Sequence, residues 1–252
     1  MIIDKEVNVE TQIFLNYFLS GEADTLLVDG IIGRKTLLSM EIAINKLKSE
    51  FKKKSLIYND SFNFIGIRTS NRITDLYDDW FVLTYPNTLV AIPASTKAGK
   101  PAIMKYWNRW VRGIRGFGTI RENQQIDYLV VEGTNSGWAS WTGGLGFLCQ
   151  DRPIMVYRDP NTDDIIDTSV SVVSQNDGFN VHSWKGVNAI YDVKSVLNTY
   201  SKKIDFVNRV HNMSEGCQVT LANYWQYLFP ILLRQARKEN NQKRIIYTVL
   251  SV

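Results

Sequence analysis

The 252-residue chain holds two cysteines and two histidines, and one of each stands in a setting suited to acyl transfer. Cys217 follows a glycine in Met213-Ser214-Glu215-Gly216-Cys217-Gln218-Val219. His182 closes the apolar–polar alternation Phe179-Asn180-Val181-His182-Ser183, the pattern of a strand end presenting a side chain to a cleft. A thiol attacks a carbonyl as the thiolate, which a nearby imidazole promotes. Gly216 lets the backbone bend so that its amide and that of Cys217 converge on one point, as an oxyanion hole requires. His211 is nearer to Cys217 in sequence and is the rival base. Cys149 reads as a buried, inert thiol. Two cysteines make neither a disulfide framework nor a cysteine-rich zinc site, so neither metal nor cofactor is expected.

The elements that must position these residues are mainly strands. Residues 7–48 read as helices around a tight turn, with Val9, Ile13, Phe14, Tyr17 and Phe18 at helical spacing and a second amphipathic segment from Thr36 to Lys48. The lysine-rich stretch Lys46–Lys54 reads as a helix end and linker, which puts a boundary near residues 50–58. Beyond it, Ile65–Arg68, Trp80–Tyr85, Leu89–Pro93, Ile126–Glu132, Ile154–Tyr157 and Ser169–Val173 are short β-rich runs separated by turn residues. Tyr85-Pro86-Asn87-Thr88 reads as a hairpin turn. Leu221–Lys238 reads as a helix with Thr220 as N-cap and Pro230 inside it, and Arg244–Leu250 as a last strand. The expected class is α+β, mainly β with some α: a small helical domain over 1–54, then a sandwich- or barrel-like domain over 55–252.

Two segments carry a family resemblance. Asp29-Gly30-Ile31-Ile32-Gly33-Arg34-Lys35-Thr36, flanked by apolar helices, resembles the turn of three-helix peptidoglycan-binding domains over about residues 7–48. That resemblance implies wall binding through Asp29, Gly30, Gly33 and Thr36. The other segment pairs Asn180-Val181-His182-Ser183 with Ser214-Glu215-Gly216-Cys217-Gln218-Val219. It resembles the L,D-transpeptidase (YkuD-like) catalytic domain, and is nearer still to a phage and bacterial subgroup with N-x-H and S-x-G-C-Q motifs. Asp78-Asp79-Trp80-Phe81-Val82, Ile92-Pro93-Ala94-Ser95-Thr96 and Val156-Tyr157-Arg158-Asp159 extend the likeness over most of residues 62–252. The resemblance implies Cys217 as nucleophile, His182 as general base, the Gly216 and Cys217 amides as oxyanion donors, and Ser214 as the residue shaping the turn. It implies bacterial peptidoglycan as partner, with hydrolysis and transpeptidation both open. Two departures stand out. Glu215 replaces the usual second histidine, and a carboxylate facing the thiolate raises a thiol pKa. The gap from His182 to Ser214 is about twice the usual one, and its insertion near Lys185–Asp205 reads as helical.

Tyr106–Arg115 interleaves bases and aromatics, with Trp107, Arg109, Trp110 and Arg112 as candidate substrate-groove residues; a basic surface loop with tryptophans packed beneath it is the plain alternative. Nucleic acid is not the expected partner, since a net charge of +4 is only mildly basic. The oxygen-rich run Asp159–Asp167 lacks the glycine and glutamate of a calcium loop and reads as a polar turn. No apolar run is long enough to span a bilayer. The opening MIIDKEVNVE has no signal-peptide pattern. The expected location is a phage virion, or the host cytoplasm before delivery to the wall.

Overall fold

The structure is a computed structural model. It describes residues 4–70, 77–97, 110–111, 114–115, 117–132, 145–159, 165–166, 168–169, 171–174, 180–183, 218–239 and 243–252. Over these the protein is α+β and mainly β, as the sequence suggests.

Eight strands close a barrel. In chain order they are β1 (Asn63–Arg68), β2 (Asp79–Tyr85), β3 (Thr88–Ser95), β7 (Gln124–Glu132), β8 (Gly146–Cys149), β11 (Val181–Ser183), β12 (Gln218–Thr220) and β13 (Arg244–Ser251). Around the barrel the order is β1-β13-β7-β8-β11-β12-β3-β2. The contacts β1/β13 and β11/β12 are parallel and the others antiparallel. A separate three-stranded sheet joins β6 (Phe117–Ile120), β9 (Ile154–Asp159) and β10 (Ser171–Ser174), with β9 in the middle. The two-residue strands β4 (Trp110–Val111) and β5 (Ile114–Arg115) pair with each other.

Alternation along each strand explains why β1 is buried at every residue. Phe64, Phe81, Leu83, Val90 and Ile92 join Tyr128, Tyr247 and Val249 in one cluster. Ile65, Ile67, Val82, Leu89 and Ala91 belong to another, shared with α1 (Lys5–Phe18) and α2 (Arg34–Lys53). The helices supply Phe14, Leu15, Phe18, Met40, Ala43, Leu47 and Phe51. Burying each large side chain of that set stabilises the fold by about 1.5–3 kcal/mol. The helical segment and the strands therefore share a core across the boundary near residue 54. Thr11 of α1 also bonds the sheet: its Oγ1 accepts from the Ala91 amide at 3.1 Å and donates to Val7 O at 2.8 Å.

Two expectations are corrected here. Lys46–Lys54 is not a linker: α2 runs on to Lys53, because Phe51 is buried on one side while Lys52 and Lys53 face solvent. Thr220 lies in β12, and its Oγ1 donates to Pro93 O at 2.6 Å instead of capping the helix that follows. That helix, α3 (Ala222–Glu239), includes Pro230 and adds Trp225, Leu228, Phe229 and Leu232 to the barrel cluster. The hairpin turn stands as read, with Asn87 at φ 61° between β2 and β3.

Candidate active site

β11 and β12 lie side by side in the barrel. Val181 pairs with Gln218, His182 with Val219, and Ser183 with Thr220. Val181 also pairs with Leu148 of β8, and Val219 with Ser95 of β3. The backbone of His182 is thus in register with a residue two positions after Cys217. Cys217, Gly216, Glu215, Ser214 and His211 lie outside the described residues, as does the insertion near 185–205.

Buried polar contacts hold the start of β12. The Gln218 amide donates to Asn180 O at 2.8 Å. The Asn180 side chain accepts from the Gln150 amide at 2.9 Å, tying the entry to β11 to the end of β8. Within the barrel the Tyr247 hydroxyl donates to Gln218 Oε1. Complete burial pushes the Tyr247 pKa well above its ordinary value, so this hydroxyl stays a donor. Gln218 Nε2 is buried, with no hydrogen-bond partner among the described residues.

A charged layer follows at the same end of the barrel, next to the end of β3. Lys97 is fully buried, with Nζ 2.6 Å from Asp78 Oδ1 and 3.5 Å from Asp79 Oδ1. Asp79 also accepts from the Thr96 amide at 2.9 Å and the Thr69 amide at 3.0 Å. Arg68 bridges Glu122 at 2.9 Å and donates to Thr96 Oγ1, Thr96 O and Ile120 O. Sequence reading did not single out Lys97, Arg68 or Tyr247. The available signal was charge at strand ends: Asp78-Asp79 opens one apolar run and Lys97 closes the next. Those runs, quoted above for the family likeness, pair with each other at Asp79–Ala94 and Trp80–Pro93.

No protein-family model and no curated protein matches this chain.

The other candidate residues divide in two. Asp29, Gly30, Gly33 and Thr36 build the connection between α1 and α2. Asp29 Oδ1 accepts from the Ile31 amide at 2.8 Å and from Gln12 Nε2 at 3.0 Å. Gln12 Oε1 in turn accepts from the Asp29 and Gly30 amides. These bonds, led by the one from Gln12, hold the Asp29 pKa below its ordinary value. Gly30 takes φ +76°, and a Cβ there would meet Lys5 Cγ at 2.7 Å. Gly33 is the N-cap of α2 in extended backbone, and the Thr36 hydroxyl donates to Ile31 O at 3.4 Å. Around this turn the exposed apolar side chains Leu27 (78%), Ile31 (66%), Val28, Leu37 and Leu38 stand beside the exposed Arg34 and Lys35. Of the basic–aromatic set, Trp110 stands in β4 with its backbone paired to Arg115, while Trp107, Arg109 and Arg112 lie outside the described residues.

Among the described residues no helix is long and apolar enough to cross a membrane. Cys149 is half-buried, and burial, followed by the charge of Asp151, pushes its thiol pKa up.

Proposed function

We propose that this protein is a cysteine-dependent acyl-transfer enzyme of the L,D-transpeptidase-like kind, acting on stem-peptide bonds of bacterial peptidoglycan. The observation that carries the reading is the parallel pairing of His182 with Val219, which sets the histidine strand beside the strand that begins immediately after Cys217. In the proposed step the imidazole of His182 takes the thiol proton as the Cys217 sulfur attacks a peptide carbonyl. The tetrahedral oxyanion is held by backbone amides at Gly216 and Cys217. Collapse forms a thioester and expels the peptide amine, which receives the proton from His182. An incoming amine or water then takes the acyl group and restores the thiol. The step needs no metal or cofactor.

The charged layer beside β12 supports the reading. Lys97 pairs with Asp78 and Asp79, and Thr96 links Asp79 to Arg68, so a chain of polar bonds ties this end of the barrel together. The reading includes wall attachment through the α1–α2 turn. There Asp29 and Gly30 are bonded to Gln12 within the fold, and the exposed apolar side chains together with Arg34 and Lys35 form the surface offered to a wall polymer. A phage-type peptidase delivered to the wall from a virion or from the host cytoplasm suits the pattern best.

The test is incubation with purified sacculi, using Cys217→Ala as control. Release or exchange of muropeptides by the native protein alone is expected. An unchanged muropeptide profile with the native protein overturns the enzyme reading. It leaves the second one, a non-catalytic wall-binding or virion protein, which Glu215 favours because its carboxylate stands where the family has a histidine.

A further inference from the structure

The connection from α1 to α2 is pinned twice soon after it leaves the helix. The amides of Glu22 and Ala23 donate to Leu19 O at 2.8 and 3.2 Å. The Asn16 side chain then takes both backbone groups of Leu26, donating to its carbonyl at 3.0 Å and accepting from its amide at 2.7 Å. The loop between these pins borders a cavity of about 90 Å³, which Ser39 of α2 also lines. That is less than the roughly 150 Å³ that takes in a benzene-sized ring. It leaves room for the end of a side chain and not for a sugar ring.

The lining is part apolar and part oxygen. Leu15, Leu19 and Ala23 supply the apolar part; Asp24, Thr25 and Ser39 supply a carboxylate and hydroxyls. Ser39 is 6% exposed, yet its hydroxyl has no hydrogen-bond partner among the described residues and is open to the cavity. A serine inside a helix can turn its hydroxyl back to the carbonyl four residues before it, and this one does not. A buried hydroxyl left open costs stability unless something from outside completes it. The charge here favours a cation. α1 points the negative end of its dipole to this loop, with no basic residue in its last turn. Lys46 donates to Phe18 O but is matched by Glu22 at 2.8 Å, whereas Asp24 has no ion-pair partner among the described residues.

We propose that this cavity is a binding site for a primary ammonium on a short aliphatic stem, such as the lysine side chain of a wall peptide, with Ser39 accepting from the ammonium and Asp24 balancing its charge. The site deepens the wall attachment proposed above and rests on it only for the wall as the source of the peptide. Leu15, Leu19 and Ala23 face the methylenes, and an ammonium has three donors for the oxygens. A hydrogen bond from a charged donor is stronger than a neutral one, which suits a lone hydroxyl acceptor away from bulk water. The loop is already pinned at both ends, so binding needs little further ordering.

The experiment titrates the full chain, labelled with ¹⁵N, with N-acetyl-L-lysine methylamide, and follows the amide signals of Gly21, Asp24 and Thr25. N-acetyl-L-norleucine methylamide, which has the aliphatic stem without the ammonium, is the control. Saturable shifts are expected with the lysine probe alone. Ser39→Ala should weaken binding ~10-fold and leave the melting temperature unchanged or slightly higher, because the lost hydroxyl has no partner in the fold and alanine suits a helix better. Asp24→Asn should weaken it about threefold. No saturable shift with the lysine probe overturns the site, and equal binding of the norleucine probe overturns the ammonium as its ligand. Native-like binding by Ser39→Ala, or a melting temperature several degrees lower, overturns the part given to Ser39. The sacculus assay on the same protein keeps the two proposals apart. Probe binding with an unchanged muropeptide profile upholds the site and drops the enzyme reading; muropeptide release without probe binding does the reverse.

Discussion

The Tyr224 hydroxyl donates to Glu10 Oε1 at 2.7 Å, joining α3 to α1 across 214 positions of sequence. Burial raises the Glu10 pKa above its ordinary value, and the charge of Glu6 adds to this; the Tyr224 bond opposes it. A folded-state pKa above the unfolded one means that the folded chain binds the proton more tightly. The resulting stability is complete below about pH 4.5 and is lost as pH rises through the folded value. Glu10→Gln keeps an acceptor for Tyr224 and removes the ionisation. The variant should melt about 2 °C above the native protein at pH 7, with the gain shrinking toward pH 4. Thermal melts across that range check it.

Gln12 is the clamp of the α1–α2 turn, since its side chain serves the Asp29 and Gly30 amides, Asp29 Oδ1 and Ile31 O. Gln12→Leu leaves buried backbone groups without partners and should cost about 2–4 kcal/mol in urea unfolding. Gly30→Ala should cost about 1–3 kcal/mol, because φ +76° and the nearness of Lys5 both exclude a Cβ. A loss under about 0.5 kcal/mol for either would show that the turn is not what holds α1 against α2.

Lys97 has its charge matched by two carboxylates in a fully buried position. Lys97→Met strands those charges and should destabilise by about 3–5 kcal/mol. Adding Asp78→Asn should recover part of that loss, because one of the stranded charges is then gone. Urea unfolding of the two variants measures the difference, and equal stability for both would break the argument.

Alkylation can separate the two histidines. His182→Gln should slow Cys217 alkylation at pH 7 by ~10-fold or more, whereas His211→Gln should leave it within about twofold. Cys149→Ala should not change the fast phase, since burial and Asp151 keep the Cys149 thiol protonated at neutral pH. A loss of the fast phase in His211→Gln would reassign the base.

Much of the fold was legible because strands buried on both faces are rich in β-branched and aromatic residues and are bounded by turn residues. The β-rich composition of Ile65–Arg68, Trp80–Tyr85 and Leu89–Pro93 between turn residues marked three barrel strands, and Asn87 after Pro86 marked their turn. β8, β11 and β12 carry three or four residues each, too few for a period to emerge, and they were not assigned as strands beyond the end at His182. The extent of α2 was misread for a different reason. Lysines on its solvent face look like a linker unless the buried face of Phe51 is known.

Taken alone, the sequence determined the residue types available for chemistry, the mainly β class and the tight Asp29-Gly30 turn, because these follow from local chemistry and from the period of burial. The tertiary structure decided that β11 runs parallel to β12 and that Lys97 meets Asp78 and Asp79 out of water. It also decided that Tyr247 reaches Gln218 from across the barrel. Those contacts join residues far apart in the chain, and their energies depend on which groups are desolvated together, which no local pattern encodes.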